Sequence, residues 1–417
     1  MPVLGLITEY NPFHHGHLHH LNESKKITAA THTVAVMSGH FMQRGEPALT
    51  DKWTRASMAV ACGVDLVIEL PTFYACSTAE QFARGSILLL DHLGCVTDVC
   101  FGSEIGDPGI FKLIGSLLAD PHPDYSDYLK QASSSGISFA AAQEKALIRI
   151  IERDYPEMLP LAKQVFNRPN NVLGIAYAKH IIKTGSSMAL HTIQRIGAEY
   201  HDPTTMHPVS SATGIRRLYQ NTGDVSSIKP FLPSESYERL LCGIREGRGP
   251  VFLDDYHQEL LTLLKRSSID ELVNLPDISE GLEHRIMKCI KHSGSIETFM
   301  FCVKNKRVPY TRLQRMLIHL LLNLNQKELT ICQYDTSSIY GRILAFNDRG
   351  RELIRICQTT TKIPLINKTA NFQTASPEIN QLLDIDLKAS RVYGTKLHHK
   401  SFSQGEPDLL MSPVYVR

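Results

Sequence analysis

Apolar residues follow two rhythms along this chain. Short unbroken runs alternate with longer stretches of helical period through the first hundred residues. Val3-Leu4-Gly5-Leu6-Ile7, Thr33 to Met37, Asp65 to Leu70 and Thr97 to Phe101 are such runs. Each is bounded by a breaker: Ser38-Gly39 after the second, Pro71 after the third, Gly102-Ser103-Glu104 after the fourth. Runs of this length predict buried strands. Between them, Asp51 to Cys62 reads as a helix with Thr50 as its N-cap. Ser77-Thr78-Ala79-Glu80 fits a capping box that opens a helix toward Leu93. Strand–helix alternation of this kind predicts an α/β fold: a Rossmann-like parallel sheet with helices on both faces.

The rhythm then changes. Residues 108–186 are mostly of helical period, broken by a loop at Ser133-Ser134-Ser135-Gly136. Pro169-Asn170-Asn171 opens a helix with an asparagine as its cap, and Ala189 to Gln194 reads as a last strand, followed by Arg195. Ser210-Ser211-Ala212-Thr213-Gly214-Ile215-Arg216-Arg217 starts another helix. Turn-rich sequence between 221 and 250 suggests a boundary. The expected organisation is therefore an α/β domain over 1–225 and a mainly helical domain over 226–417. Short runs at 329–332, 339–346 and 363–366 read as strands within the second part.

Composition narrows the class. With 417 residues and 43% apolar content the chain can bury a substantial core. A net charge of +2 excludes a global field as the basis of partner choice, so any polyanion must meet a local basic surface. Nine cysteines, at 62, 76, 95, 100, 242, 289, 302, 332 and 357, include no Cys-x-x-Cys pair. That pattern argues against a disulfide scaffold or structural zinc, and for small buried hydrophobes in a reducing cytoplasm. No secretory leader and no run of membrane-spanning length is evident, so a cytoplasmic protein without membrane attachment is expected.

The candidate chemistry lies at the end of the first strand. Thr8-Glu9-Tyr10-Asn11-Pro12-Phe13 leads directly into His14-His15-Gly16-His17. A His-x-Gly-His at a strand–turn–helix junction suits a nucleoside triphosphate. Gly16 lets the backbone approach phosphate oxygens, the helix N-terminus offers free N–H groups, and two imidazoles can donate to oxygens that gain charge as pyrophosphate leaves. Ligands of open parallel sheets bind at this edge. His19 and His20 by themselves read as solvated. About two hundred residues on, Ser211-x-Thr213-x-x-Arg216 at a helix start offers hydroxyls and a guanidinium for β- and γ-phosphates. Either motif alone fits an ordinary cap; two phosphate-type motifs bracketing one sheet domain are a rarer coincidence.

These paired motifs resemble the nucleotidyltransferase superfamily, and within it the tRNA(Met) cytidine acetate ligase family. The matching stretches are Glu9 to His17, Ser38-Gly39 with Gln43-Arg44-Gly45-Glu46-Pro47-Ala48, Phe101-Gly102-Ser103-Glu104, Pro169-Asn170-Asn171, Gln194-Arg195, Ser210 to Arg216, and Arg312-Leu313-Gln314-Arg315-Met316-Leu317. His15 replaces a small polar amide expected between the motif histidines, at a position that should point away from the phosphates. The resemblance implies ATP contacts at Ile7, Thr8, Glu9, Tyr10, Asn11, Pro12, Phe13, His14, His15, Gly16, His17, Leu18, His19, His20, Gly102, Asn170 and Arg195, with His14 and His17 catalytic. It also implies a two-step ligation: acetate and ATP give acetyl-adenylate, and N4 of cytidine 34 in elongator tRNA(Met) then takes the acetyl group. Mg²⁺ is expected with the triphosphate. Glu9, Glu46 and Glu104 are loose candidates to hold it, and no protein metal site is assigned. The Ser38–Ala48 segment, with Arg44, is a candidate acetate pocket.

A large anionic substrate needs cations. Between 283 and 327 stand Arg285, Lys288, Lys291, Lys304, Lys306, Arg307, Arg312, Arg315 and Lys327, opposed only by Glu283 and Glu297. Lys304, Lys306, Arg307, Arg312 and Arg315 are the expected tRNA contacts, with Tyr310 as a stacking residue. Two rival readings share the phosphate motifs. One is a small-molecule adenylyltransferase, which has no need of the basic second half. The other is a non-catalytic RNA-binding protein that retains a nucleotide pocket.

Overall fold

The computed structural model describes residues 1–166, 168–195, 211–279, 281–305, 307–326 and 339–417. Its centre is an eight-stranded sheet. The strands are β1 (Val3–Thr8), β2 (His32–Ser38), β3 (Leu66–Leu70), β4 (Asp98–Ser103), β5 (Ala189–Gln194), β6 (Gly341–Phe346), β7 (Leu365–Ile366) and β8 (Val414–Tyr415). The order is β5-β4-β1-β2-β3-β6-β7, with β8 also paired to β6. β1 runs parallel to β2 and β4, and the parallel set extends to β3 and β5. The sequence runs give all five of these strands. Leu4, Leu6, Ala35 and Met37 enter one core, while Val3, Val34, Val36 and Val99 enter the other, as period-two side chains of a doubly covered sheet must.

Helices close both faces. α1 (His15–Thr28) and α2 (Lys52–Ala61) pack on the first core; α3 (Ala79–His92), α4 (Pro108–Ala119) and α5 (Pro169–Lys183) pack on the second. Three caps differ from the sequence reading. Asp51, not Thr50, caps α2, because its carboxylate accepts from Trp53 and Thr54 N–H, whereas the Thr50 hydroxyl donates to the Arg248 carbonyl. Thr78 caps α3, and Glu80 turns instead to Lys179 and His180. α5 begins at Pro169 with no side-chain cap, since both asparagines bond elsewhere.

The expected boundary at 225/226 does not divide the sheet. β6 inserts antiparallel beside β3, and β7 and β8 follow it, so the last third of the chain completes the α/β layer. The runs at 339–346 and 363–366 do contain strands; the one at 329–332 lies outside the described residues. The segment between is helical, and residues from Tyr219 to Leu324 share a core with α1 and α2. Among the described residues the cysteines depart from expectation in two ways: Cys242 is exposed, and Cys289, on α7 (Leu282–Ile290), is bonded to Cys302, on α8 (Ile296–Val303), because the helical hairpin brings their Cα atoms to 5.8 Å.

A buried ion cluster holds the two ends of the chain together. Lys52 of α2 donates to both oxygens of Glu69 on β3, at 2.7 and 2.8 Å, and to Asp408, at 2.7 Å. Arg342 of β6 pairs with Asp408 and donates to its carbonyl at 2.9 Å. Nearby Asp386 accepts from Tyr340 and from Thr72 N–H, and burial followed by the Glu69 charge pushes its carboxyl up to about 6. Two cations thus face three carboxylates, of which burial raises Asp386. Such a cluster stabilises little against an apolar substitute, but losing one member strands buried charge. Lys52→Met should cost about 3–5 kcal/mol of unfolding free energy in urea titration; a loss below about 1 kcal/mol would mean the anions find water or protons instead.

Candidate nucleotide site

The site forms at the C-terminal edge of β1, the central parallel strand. Its neighbours β2 and β4 fix where Thr8 ends, and the chain then turns through residues 9–14. Tyr10 holds a left-handed conformation (φ 45°), unusual for a non-glycine residue, and its ring is buried against Phe13 (4.8 Å between centroids) and His17 (5.0 Å). The next turn is capped by imidazoles. His14 Nδ1 accepts from Gly16 N–H at 3.0 Å, and His17 Nδ1 accepts from His14 N–H at 3.2 Å. The two rings lie 3.8 Å apart. A Cβ on residue 16 would sit 2.8 Å from His14 Cε1, so only glycine admits the stack.

This cap settles the protons. A neutral imidazole whose Nδ1 accepts a hydrogen bond carries its proton on Nε2. Burial lowers His14 to about 4 and holds His17 well below its usual value; the Arg195 charge adds to both shifts. Both rings are therefore neutral at pH 7, each with one Nε2–H donor. His20 joins them. Burial, then Arg195, lowers it to about 4, and its Nε2 is buried without a partner among the described residues. It is not the solvated residue its neighbours suggested; His15 and His19 are exposed.

Residues from distant segments meet these rings. Gly102, in β4, leaves room for Arg195: a Cβ there would lie 3.1 Å from Arg195 Cγ and 3.7 Å from His20 Cδ2. Arg195 N–H donates to the Ser103 carbonyl at 2.7 Å, which places the side chain at the end of β5. Its guanidinium pairs with no carboxylate among the described residues. Asn170 donates to Glu104 Oε1 at 2.8 Å, while Glu104 Oε2 is buried without a partner among the described residues. Asn171 Oδ1 accepts from Glu104 N–H at 3.0 Å.

The mid-chain motif reaches the same loop, in a different role. Ser211 caps α6 (Ala212–Thr222), accepting from Gly214 N–H at 3.2 Å. Arg216 donates to the Asn11 carbonyl at 2.8 Å and pairs with Glu46, with Thr213 Oγ1 at 3.4 Å. Its charge is engaged before any phosphate arrives, so it braces the loop between Glu9 and His14. Glu9 accepts from Gln43 N–H at 2.7 Å and is raised by burial. Among the described residues no three His, Cys, Asp or Glu side chains converge as a metal cage. Glu46 is engaged by Arg216 and Glu9 by an amide, which leaves Glu104 as the one of the three candidate carboxylates with an unpartnered oxygen among the described residues.

Two supports of the site escaped the sequence reading: the side chain of Arg55, and the packing of a helix whose arginines read in sequence only as tRNA contacts. Arg55, fully buried in α2, donates to the carbonyls of Glu9 (2.6 Å), Ser38 (3.0 Å), Gly39 and Thr50 (3.3 Å). It ties the loop after β1 to the loop after β2. The signal was a cation in a helix otherwise made for burial. α9 (Tyr310–Leu321) is the second. Gly45 has φ 78°, and a Cβ there would strike the Arg315 backbone, so the 39–48 loop rests directly on this helix. That packing overturns part of the expected basic face. Arg315 is buried and paired with Asp277 at 2.9 Å; Arg312 donates to the Asp277 carbonyl and to Ser279, both at 2.8 Å. Lys304 and Arg307 stay exposed, while Lys306 lies outside the described residues.

The chain was then compared with known proteins. The HIGH Nucleotidyl Transferase family profile matches residues 1–408. The chain is 42% identical over 419 residues to the tRNA(Met) cytidine acetate ligase of Alkaliphilus metalliredigens, covering 100% of this chain and 99% of that one. It is 41% identical over 423 residues to the ligase of the same name from Caldicellulosiruptor saccharolyticus, with the same coverage. Thermotoga maritima TmcAL, solved bound with alpha-thio ATP, superposes with a TM-score of 0.91 at 34% identity over 100% of both chains.

The lowered imidazoles have a consequence for stability. An unfolded imidazole titrates near 6.5, whereas folded His14 and His20 hold values of about 4. Between those values the unfolded chain binds protons that the folded chain refuses, so their contribution is complete above about 6.5 and is lost as the pH falls toward 4. The urea midpoint should drop across that window, and His20→Gln should make the drop shallower. An identical pH slope in the variant would show that His20 keeps its ordinary pKa in the fold.

Proposed function

The chain belongs to the HIGH nucleotidyl transferase family, and we propose that it is a ligase that uses ATP and acetate to acetylate N4 of the wobble cytidine, position 34, of elongator tRNA(Met). The observation that supports this most is the pair of capped imidazoles beside Arg195 at the C-terminal edge of β1. Neutral Nε2–H donors and a guanidinium with no carboxylate partner among the described residues suit a triphosphate whose α-phosphate is to be attacked.

In the first step an acetate oxygen attacks the α-phosphorus, and the bond to the β-phosphate oxygen breaks. His14 and His17 donate to the oxygens that gain charge, and Arg195 neutralises the departing pyrophosphate. Little proton chemistry is required; the work is positioning. Glu104, held by Asn170 and Asn171, has an unpartnered Oε2 that suits a ribose hydroxyl. The 38–48 loop, with the buried unpartnered Ser38 hydroxyl and exposed Arg44, is the acetate subsite in this reading. In the second step N4 of cytidine attacks the acetyl carbonyl, AMP leaves, and the nitrogen loses a proton. Mg²⁺ would accompany ATP as its counter-ion and neutralise part of the triphosphate charge. No helix among the described residues is long and apolar enough to cross a membrane; we place the reaction in the cytoplasm, where tRNA resides.

Incubation with ATP, labelled acetate and elongator tRNA(Met) should yield labelled N4-acetylcytidine. Label confined to acetate-dependent pyrophosphate exchange, with none in RNA, would favour a small-molecule adenylyltransferase. His17→Asn keeps an acceptor for the cap and removes the Nε2–H donor. It should slow adenylate formation by about 100-fold or more while tRNA affinity is retained; equal loss of both would make the residue structural. Arg307→Gln should lower the salt slope of tRNA binding by about one.

A further inference from the structure

Phe301 stands 85% exposed, more than any other large apolar side chain among the described residues. An isolated phenyl ring in water forgoes its main energetic gain, so its surroundings matter. They are basic. Lys304 follows three residues on, where α8 ends. Arg285 of α7 donates to the carbonyl of Cys302 at 2.8 Å, immediately beside Phe301 in the chain, and reaches the Lys304 carbonyl at 3.4 Å. Lys288, Lys291 and Arg307 are exposed on the same helical hairpin and the loop that leaves it. The segment 281–305 offers only Glu283 and Glu297 against these cations.

A second aromatic ring is exposed a few residues further along the chain. Tyr310, at the first turn of α9, is 46% exposed. Burial raises its phenol, and the charges of Asp254, Glu46 and Glu297 add to that shift while Arg217 opposes it, so its surroundings are more acidic than those of Phe301. Glu297 is one helical turn before Phe301 and shares its face. Glu46 in turn holds Arg216, which donates to the Asn11 carbonyl three residues before His14.

We propose that Phe301 is a base-stacking platform for an unpaired nucleotide of the bound tRNA. The inference rests on the ligase reading above. Cations around Phe301 meet the phosphates while its ring face meets a base, the pairing that single-stranded RNA requires. A duplex offers no free base face, so the platform selects for looped RNA such as an anticodon arm.

The test uses the full chain and a fluorescent elongator tRNA(Met) transcript. Phe301→Ala should weaken binding by about 5- to 100-fold, and Phe301→Trp should restore it. The salt slope should be unchanged in Phe301→Ala, since stacking releases no counterion. Acetate-dependent pyrophosphate exchange should stay at the wild-type rate, and affinity for a fully paired RNA duplex should be unaltered. Unchanged tRNA affinity in Phe301→Ala, or a loss that Trp does not recover, overturns the platform while leaving the ligase reading intact. A wild-type dimer that Phe301→Ala dissociates assigns the ring to a second copy and overturns it too. Wild-type protein that binds no tRNA removes both readings.

Discussion

The reciprocal cap of α1 is the constraint on which this site depends. One imidazole accepts from the backbone two residues ahead, and the next accepts from the backbone of the first. Each bond satisfies a helix-terminal N–H that would otherwise lack a partner. The same bonds decide which ring nitrogen keeps its proton. A structural need and a chemical one are thus met by a single arrangement. The plain reading of a histidine as a cap holds here, and it leaves the opposite edge of each ring, Nε2–H, for the phosphate donation proposed above.

That arrangement is only as exact as the loop before it. Arg55 grips the carbonyls of Glu9, Ser38 and Gly39 from below, and Arg216 grips the Asn11 carbonyl from the side. Carbonyl clamps of this sort orient backbone without placing a mobile charge near the phosphates. Arg195 is the contrasting case. It is left unpaired among the described residues, and its field disfavours protonation of His14, His17 and His20. The site therefore concentrates positive charge in one guanidinium and uses neutral N–H dipoles around it, which avoids the repulsion that three imidazolium ions would add.

The last third of the chain is part of the same body. β6 joins the sheet, Arg342 enters the ion cluster with Lys52, and α9 carries the 39–48 loop on its backbone. Burial of that cluster forces its partners to stay matched, so displacement of the C-terminal segment around Asp408 exposes charge at α2 and β3. The helices α7 and α8, which carry the basic surface, share the core of α1 and α2 and so belong to the same packed body as the nucleotide edge.

The strands, the His-x-Gly-His helix start and the Ser211 cap were all readable in one dimension. Apolar runs, helical periods and caps are set by residues within a few positions of each other, so the chain displays them directly. The resemblance of spaced motifs extended that reading to a family and an activity. What required the folded molecule was every relation across long separations. Arg216 and Glu46 are 170 positions apart, Lys52 and Asp408 are 356 apart, and nothing in either neighbourhood marks them as partners. Arg312 and Arg315 looked like a charged face because helical spacing aligns them, yet Arg315 is buried against Asp277 and the half-buried Arg312 is held by the Asp277 carbonyl and Ser279. Sequence sets which elements form and what chemistry they carry. Tertiary packing decides which charges remain free, because only it determines where each one's counter-charge lies.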